Sequence, residues 1–258
     1  MGGSLNVSIL PVLPLPLLPL PLLPLPLLPP RKPDSHKGDF GRALLVGGSR
    51  GMSGAIALAG MATLRGGAGL VTLAVPDACL ETVAAFEPSY MTTPLACDEA
   101  GRIRSEAVEE IIRLAGVADG VACGPGLSRS PQLTGLVARL YEVLPQPLVL
   151  DADGLNALAQ LGVQRPAPAA PRILTPHPGE FRRLCGEPDS RASREDLCRQ
   201  AIELAGRCGW VLVLKGHRTL ITDGHRVTYN TSGNPGMATG GAGDVLTGLI
   251  TALVCQGL

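Results

Sequence analysis

Short apolar runs alternate with stretches of helical periodicity along most of the chain, from residue 41 to residue 258. Apolar runs bounded by glycine, proline and polar residues predict strands, and apolar residues that recur every three or four positions predict helices. The predicted strands are residues 43–46, 70–75, 120–123, 148–151, 173–175, 210–214, 219–222 and 226–229. The predicted helices are residues 53–65, 131–142, 154–160 and 193–208, with further helices beginning at residues 76, 179 and 244.

This alternation indicates an α/β fold with a mainly parallel central sheet and helices on both faces. In such a sheet, ligands bind beyond the carboxyl ends of the strands. Glycines and isolated polar residues directly follow several predicted strands, at positions 47–48, 124–126, 151–153, 175–180 and 215–216. We therefore expect these positions to meet at one edge of the sheet.

The first 34 residues differ from the rest of the chain. Residues 14–28 repeat the unit Pro-Leu-Pro-Leu-Leu, and residues 1–10 contain no Lys or Arg. Frequent proline removes the backbone donors that a membrane-spanning helix needs, and a secretory signal would begin with basic residues. We predict a disordered Pro/Leu-rich tail at residues 1–34, followed by one domain at residues 35–258.

Composition restricts the classes of partner. The chain of 258 residues has 22 Lys+Arg and 22 Asp+Glu, and only 3% of its residues are aromatic. A neutral chain with few aromatic residues argues against binding to nucleic acid or to a membrane surface, so we expect small-molecule partners. The oligomeric state is left open, a homo-oligomer included. The seven cysteines form no CxxC pair, which predicts reduced thiols and a cytoplasmic protein.

A glycine-rich segment, Thr239-Gly-Gly-Ala-Gly-Asp244, precedes the last predicted helix. Its glycines leave backbone N–H groups free to face an anion, and the helix N-terminus adds positive partial charge. We therefore predict an anion hole formed by Gly240, Gly241, Ala242 and Gly243. Asp244 has two interpretations: a base that takes a proton from a substrate hydroxyl, or an N-cap or first-turn acidic residue that the helix dipole favours. The cluster of glycines favours the first.

Residues 234–244, Asn-Pro-Gly-Met-Ala-Thr-Gly-Gly-Ala-Gly-Asp, closely resemble the anion-hole signature of the ribokinase-like vitamin kinases. Within that superfamily they look most like the ADP-dependent NAD(P)H-hydrate dehydratases. Further stretches agree in the same order, at residues 37–42, 47–55, 124–127 (Gly-Pro-Gly-Leu), 150–156, 175–180 (Thr-Pro-His-Pro-Gly-Glu) and 213–216. The resemblance runs from about residue 35 to residue 258 and implies a ribokinase-like fold. Because the family continues with further helices, it also implies that this domain lacks its C-terminal helices.

The resemblance implies a hydro-lyase that repairs the S epimer of hydrated NADH or NADPH. ADP would phosphorylate the ring hydroxyl, Mg²⁺ and backbone amides would carry the developing charge, and the products would be NAD(P)H, AMP and phosphate. The sequence leaves open ADP against ATP, and NADH hydrate against NADPH hydrate. The implied catalytic residue is Asp244, and no metal ligand is assigned. The other implied residues are Ala55, Gly126 and His177, with Asp244, for the hydrated dinucleotide, and Lys215, Gly216, His217, Arg218, Thr219 and Gly243 for ADP or AMP.

Several of these residues also have structural interpretations. Lys215 directly after a strand is typical of a charge at the sheet edge. His177 lies between two prolines, which predicts an extended backbone and an exposed ring, the alternative being a buried core histidine. Asp153 is as well suited to capping a helix as to catalysis. Asn156 and Glu180 are weaker candidates that could organise water around a metal.

Three other functions compete with the dehydratase. Inside the superfamily the alternative is a kinase of a small vitamin alcohol, of the thiazole or hydroxymethylpyrimidine type. A nucleotide-binding regulator that has kept the fold is a second, and the intact Asp244 argues against it. Residues 47–51 match the G-x-S-x-G elbow of serine hydrolases, with Asp151 and His177 in hydrolase order. In α/β-hydrolases the elbow follows several strands of the sheet. In this chain the matching residues follow the first predicted strand, and only the tail precedes that strand, which argues against a hydrolase.

Overall fold

A nine-stranded sheet lies at the centre of the protein, and the computed structural model describes residues 26–163 and 168–258. The strands are β1 (Arg42–Val46), β2 (Leu70–Pro76), β3 (Met91–Leu95), β4 (Gly120–Cys123), β5 (Leu148–Leu150), β6 (Arg172–Leu174), β7 (Trp210–Leu214), β8 (Leu220–Thr222) and β9 (Val227–Tyr229). The helices are α1 (Ser53–Arg65), α2 (Leu80–Ala84), α3 (Val108–Ala115), α4 (Pro131–Val143), α5 (Ala152–Leu161), α6 (Pro178–Leu184), α7 (Arg194–Cys208) and α8 (Ala242–Cys255).

The strand order is β3-β2-β1-β4-β5-β6-β7-β8-β9. Strands β1 to β7 pair in parallel, and β8 and β9 add an antiparallel hairpin at one edge. This confirms the predicted α/β class with a mainly parallel sheet. The order reverses between β1 and β4, and ligands bind at such a switch point in open α/β sheets.

Alternate residues of the strands face two separate cores, because successive side chains of a strand point to opposite faces. Leu44 and Val46 of β1 lie in the larger core, beneath the helices α3 to α7. Ala43 and Leu45 of the same strand lie in the other core, beneath α1, α2 and α8. Helices therefore cover both faces, as the continuous apolar runs predict.

Two elements were not predicted. Strand β3 contains Pro94 and pairs only with β2, because proline is tolerated at a sheet edge but weakens the sequence signal of a strand. Helix α3 is short, and its two buried residues are Ile111 and Ala115. Helix α8 begins at Ala242, two residues before the predicted start at Asp244.

The predicted tail lies mostly outside the described residues, which begin at Pro26. Residues 26–34 form no helix or strand and are largely exposed. Arg31 nevertheless stacks 3.6 Å from the ring centroid of Phe40 and donates a hydrogen bond of 2.8 Å to the carbonyl oxygen of Gly67. Within residues 26–163 and 168–258, none of the helices has the length and hydropathy needed to cross a bilayer.

Candidate active site

The loops that follow β1 and β4 meet at the switch point of the sheet. The Gly48 N–H donates to the Pro125 carbonyl oxygen at 2.8 Å, and the Ser49 hydroxyl donates to the Gly126 carbonyl oxygen at 2.8 Å. Ser49 is only 2% exposed. A nucleophilic serine must reach substrate, so this buried, hydrogen-bonded hydroxyl argues against the hydrolase alternative.

Ala55 and Gly126 lie next to each other beside these loops. Gly126 has φ +64°, and a Cβ at this position would overlap the Met52 carbonyl oxygen and lie 3.2 Å from the Ala55 Cβ. Ala55 lies in the first turn of α1. The β4 loop therefore packs closely against the first turn of α1, and only glycine fits at position 126.

His177 precedes α6 with an extended backbone, at φ −76° and ψ 166°, and its side chain is 52% exposed. The predicted conformation is observed, and the core-histidine alternative is wrong. Its Nδ1 accepts a hydrogen bond of 3.0 Å from the Gly179 N–H, and Glu180 Oε2 accepts one of 2.9 Å from the His177 N–H. This capping box fixes the ring and leaves Nε2 on the exposed side, 3.5 Å from Glu180 Oε1.

Lys215 and Asp151 form an ion pair where β7 and β5 end. Lys215 Nζ lies 2.7 Å from Asp151 Oδ1 and 3.8 Å from Glu180 Oε2. The Asp151 side chain is 2% exposed and the Lys215 side chain 21% exposed. The predicted convergence of residues 151, 180 and 215 is therefore observed, and Lys215 is part of a buried cluster rather than an isolated charge at the sheet edge.

The loop that carries Lys215, Gly216, His217, Arg218 and Thr219 joins β7 to β8. Arg194, in the first turn of α7, donates to the carbonyl oxygens of Leu214 at 2.9 Å and of Lys215 at 3.2 Å. Gly216 has φ +141° and Arg218 has φ +54°, a left-handed conformation that is costly for a side chain other than glycine. Arg194 thus stabilises a strained backbone beside the ion pair, while His217 is exposed.

The glycine-rich segment ends at the N-terminus of α8. Gly241 is the N-cap residue with φ +86°, and no side chain of the described residues caps the helix. Ala242, Gly243 and Asp244 are the first three helical residues. The Ala242 N–H donates to the Thr239 carbonyl oxygen at 3.4 Å, whereas the N–H groups of Gly243 and Asp244 have no partner within the helix. A Cβ on Gly243 would lie 3.5 Å from Lys215 Nζ and 3.6 Å from Asp151 Oδ2. The free amide groups and the ammonium group therefore lie side by side, an arrangement suited to a phosphate.

Asp244 is the third residue of α8 and is partly buried. Burial, followed by the negative charge of Asp151, raises the pKa of its carboxyl to about 6, and the Lys215 ammonium opposes this effect. It makes no capping hydrogen bond, because the N-cap residue is Gly241. A carboxyl group with a pKa near neutrality is suited to accepting a proton. Asp244 is not the N-cap residue, but it does lie in the first turn of α8, where the helix dipole favours a carboxylate.

The carboxylates of the cluster outnumber its cations. Asp151, Glu180 and Asp244 surround one ammonium group, that of Lys215. In the described part of the chain, no three His, Cys, Asp or Glu side chains group closely enough to hold a metal by themselves. Mg²⁺ usually binds through one or two carboxylates together with water and substrate phosphates, so this donor set fits Mg²⁺ accompanied by a nucleotide.

Sequence reasoning placed Asp151 and Thr175 at the shared edge of the sheet but gave neither a role in the dehydratase site, and it missed Thr247. The hydroxyl oxygens of Thr175 and Thr247 lie 2.7 Å from Asp151 Oδ1 and 2.9 Å from Asp151 Oδ2. Asp153 does not cap α5; it accepts hydrogen bonds from the Ser128 N–H and the Arg129 guanidinium, each at 2.9 Å. The available signal was that Asp151 directly follows a buried strand. Its partners could not be read from nearby sequence, because they come from the ends of β6 and β7 and from α8.

Residues 43–258 match the family described as NAD(P)H-hydrate dehydratase. The chain is 45% identical over 230 residues to the bifunctional NAD(P)H-hydrate repair enzyme of Moorella thermoacetica, covering 88% of this chain and 43% of that protein. It is 35% identical to the ADP-dependent (S)-NAD(P)H-hydrate dehydratase of Lactiplantibacillus plantarum, covering 88% of this chain and 76% of that protein. The chain thus spans less than half of the bifunctional relative.

Solved structures of similar proteins have the same fold as this chain. The ADP/ATP-dependent NAD(P)H-hydrate dehydratase of Bacillus subtilis, co-crystallised with ATP and Mg²⁺, superposes with a TM-score of 0.72 at 31% identity, covering 88% of this chain and 77% of that one. A ribokinase-like superfamily protein of Enterococcus faecalis also gives 0.72, at 29% identity, with coverage of 88% and 75%. The fold is therefore ribokinase-like, as the sequence resemblance implies.

Proposed function

Since the chain belongs to the NAD(P)H-hydrate dehydratase family, we propose that it dehydrates the S epimer of hydrated NADH or NADPH with ADP as co-substrate. The products are NAD(P)H, AMP and phosphate, so the enzyme is a hydro-lyase that works through a phosphoryl transfer. The observation that carries this proposal is the Asp244 carboxyl, with a pKa of about 6, on the uncapped first turn of α8. The seven free cysteines suit a reducing compartment, and we propose the cytoplasm as the place of action.

Asp244 acts first, by accepting the proton of the substrate hydroxyl. A free alcohol is a weak nucleophile, and a base positioned against it typically contributes about 10²–10⁴-fold to the rate. The hydroxyl oxygen then bonds to the terminal phosphorus of ADP, and the bond from that phosphorus to the bridging oxygen breaks to release AMP. The N–H groups of Gly243 and Asp244 and the Lys215 ammonium stabilise the charge on the phosphoryl oxygens.

Elimination completes the reaction. The lone pair of the ring nitrogen forms a double bond to the carbon that carries the new phosphate, and phosphate leaves with the carbon–oxygen bonding pair. Loss of a proton from the neighbouring carbon restores the dihydronicotinamide. In sum, the hydrate and ADP give NAD(P)H, AMP, phosphate and one proton, so the cleavage of ADP drives the removal of water.

The two groups of residues at the site then have separate tasks. Ala55, Gly126 and His177 bind the hydrated dinucleotide; Ala55 and Gly126 are neighbours, and the exposed imidazole of His177 also follows the carboxyl end of a strand. The 215–219 loop, held by Arg194, binds ADP beside Gly243. The first turn of α8 lies between them and belongs to both.

Mg²⁺ fits this site as a companion of the nucleotide. Glu180 would hold it, because its buried carboxylate lies beside Lys215 and the cluster carries more negative than positive charge. When bound, the ion supplies charge neutralisation at the phosphate oxygens.

The test is direct. Purified protein is incubated with chemically hydrated NADH, ADP and Mg²⁺ while dihydronicotinamide absorbance is followed and AMP and phosphate are quantified. Regained absorbance in step with AMP and phosphate is the expected result. A parallel incubation with ATP and thiazole or pyrimidine alcohols addresses the vitamin-kinase alternative. Formation of a phosphorylated alcohol there, with no recovery of NADH, would replace the dehydratase with the kinase.

A further inference from the structure

Asp151 lies at the carboxyl end of β5 as the N-cap residue of α5, yet its side chain makes no capping hydrogen bond. Both carboxylate oxygens instead face side chains from other elements. Oδ1 lies 2.7 Å from Lys215 Nζ and 2.7 Å from Thr175 Oγ1, and Oδ2 lies 2.9 Å from Thr247 Oγ1. One carboxylate thus ties together the ends of β5, β6 and β7 and the first turns of α8.

These contacts decide where the Lys215 ammonium lies. A lysine side chain is a flexible four-carbon stem that loses about 2 kcal/mol of conformational entropy when it is fixed. Asp151 takes one of its three N–H donors, and Glu180 Oε2 lies further away, at 3.8 Å. A Cβ on Gly243 would lie 3.5 Å from Lys215 Nζ, so the ammonium group lies next to the first turn of α8.

Thr247 fixes the other side of this arrangement. Its hydroxyl donates to Asp151 Oδ2 at 2.9 Å, and this hydrogen bond links the carboxylate to the second turn of α8. The Gly243 carbonyl oxygen, 3.1 Å away, competes for the same proton. Thr247 is fully buried, so this hydrogen bond joins α8 to the end of β5 away from solvent. The first turns of α8 and the Lys215 ammonium are therefore both hydrogen-bonded to the Asp151 carboxylate.

We propose that Asp151 is the positioning residue of the phosphoryl transfer, holding the Lys215 ammonium and the α8 amide groups at fixed places around the transferred phosphoryl group. This role rests on the proposed function. Asp151 itself contacts neither substrate nor nucleotide, because it is 2% exposed and occupied by its three side-chain partners. It acts through Lys215 and through α8.

The charge of Asp151 supplies a second, independent readout. Asp151 and Lys215 are the charged groups that act on Asp244, and the negative charge of Asp151 raises the pKa of the Asp244 carboxyl. A neutral residue at position 151 removes this contribution, so the Asp244 carboxyl will ionise at a lower pH. A residue with only a structural role would not move the acid limb of the rate profile.

The experiment compares three variants with the unaltered protein in the hydrated-NADH assay. Asp151→Asn keeps an oxygen acceptor but loses the charge, and Thr247→Val loses only the link to α8. Thr251→Val is the matched control, because Thr251 is a buried threonine one turn later on α8 whose hydroxyl donates to the Thr247 carbonyl oxygen. Turnover, ADP affinity by calorimetry, melting temperature and the pH dependence of kcat are measured for each.

We expect Asp151→Asn to lower kcat by about 10²-fold, since misplacement of a reacting group by about 1 Å costs that much. ADP affinity should change by less than about threefold, because removal of a carboxylate near the phosphates offsets the lost order of Lys215. The acid limb of kcat should move to lower pH in Asp151→Asn alone. Thr247→Val should lower kcat, and Thr251→Val should keep it.

Other outcomes overturn the proposal. If Thr247→Val and Thr251→Val behave alike and Asp151→Asn keeps its acid limb, Asp151 is a packing residue. If the loss of kcat follows the loss of melting temperature and of ADP affinity in every variant, the role is likewise structural. Absence of turnover in the unaltered protein, with ADP binding intact, overturns the proposed function and this role with it, and is seen before any variant is made.

Discussion

Replacing Asp244 by Asn should stabilise the protein while removing its activity. The carboxyl has an ordinary pKa of 3.8, and burial and Asp151 raise it to about 6 in the folded state. A carboxyl whose pKa is raised on folding stabilises the folded state fully below pH 3.8, and this stabilisation is lost as the pH rises through about 6. At pH 7.5 the ionised Asp244 carboxylate therefore destabilises the folded state.

The difference between a pKa of 3.8 and one of about 6 corresponds to about 3 kcal/mol. Asp244 is only partly buried, and solvent screening reduces this to roughly 1–2 kcal/mol. Asn also gives up the favourable interaction of a carboxylate with the first turn of α8, about 0.5 kcal/mol. The net gain at pH 7.5 is about 1 kcal/mol, which raises the melting temperature by about 2–4 °C in a domain of this size.

The assay combines melting temperatures at pH 4 and pH 7.5 with turnover of hydrated NADH and ADP affinity. The stability advantage of Asp244→Asn should appear at pH 7.5 and shrink towards zero at pH 4. Turnover should fall by about 10²–10⁴-fold, with ADP affinity unchanged or slightly tighter because a negative charge beside the phosphates is gone.

Asp196 provides the matched control, because it is likewise the third residue of its helix, α7. Its carboxylate accepts hydrogen bonds from Ser193, and these hold its pKa below the ordinary value. Asp196→Asn should therefore destabilise the protein at pH 7.5 and leave turnover unchanged. If Asp244→Asn behaves like Asp196→Asn, losing stability and keeping turnover, Asp244 is a helix cap and the proposed base is refuted.

Three further predictions concern the nucleotide, the backbone and the tail. Lys215→Met should weaken ADP binding by about 1.5–3 kcal/mol in calorimetry, and an unchanged affinity would mean that the ammonium does not contact the phosphates. Gly124→Ala should prevent folding, as judged by circular dichroism, because Gly124 has φ +133° and a Cβ there would overlap the Asp151 carbonyl oxygen; Gly162→Ala, with φ +76° and open space around it, should lower only the melting temperature. Deletion of residues 1–33 should leave turnover intact and the melting temperature nearly so, since the described part of this segment contacts the domain through exposed Arg31; a large drop would show that the segment supports the fold.

Local patterns were sufficient for much of the fold. Helix α1 has the predicted bounds, Ser53–Arg65, because its apolar periodicity and its flanking glycines are local signals. Strand β3 was missed because its pairing with β2, rather than its own composition, makes it a strand. The order of the strands could not be predicted either, since the reversal between β1 and β4 depends on which strands pair across the whole chain.

The residues of the candidate site also differ in whether local sequence is enough to predict them. Residues recognised by motif, such as Gly126 and Asp244, are those whose backbone or position in a helix is encoded by their neighbours. The pKa of Asp244 is a tertiary property, because it arises from burial and from a carboxylate 93 residues earlier in the chain, at position 151. No local window of sequence contains both groups.

The hydrogen bonds of Asp151 also explain how the site tolerates several carboxylates close together despite their repulsion. Two threonines and one lysine satisfy the Asp151 side chain completely, so its charge remains in the protein interior at modest cost. Burial raises the pKa of Asp244, and the fixed negative charge of Asp151 raises it further, while the same carboxylate holds the Lys215 ammonium beside Gly243. One buried group therefore tunes the base and places the cation, and the two effects separate only when its charge and its hydrogen bonds are removed independently. Asp151→Asn removes the charge, Thr247→Val removes one contact, and a pH profile that moves in the first but not in the second would distinguish the two contributions.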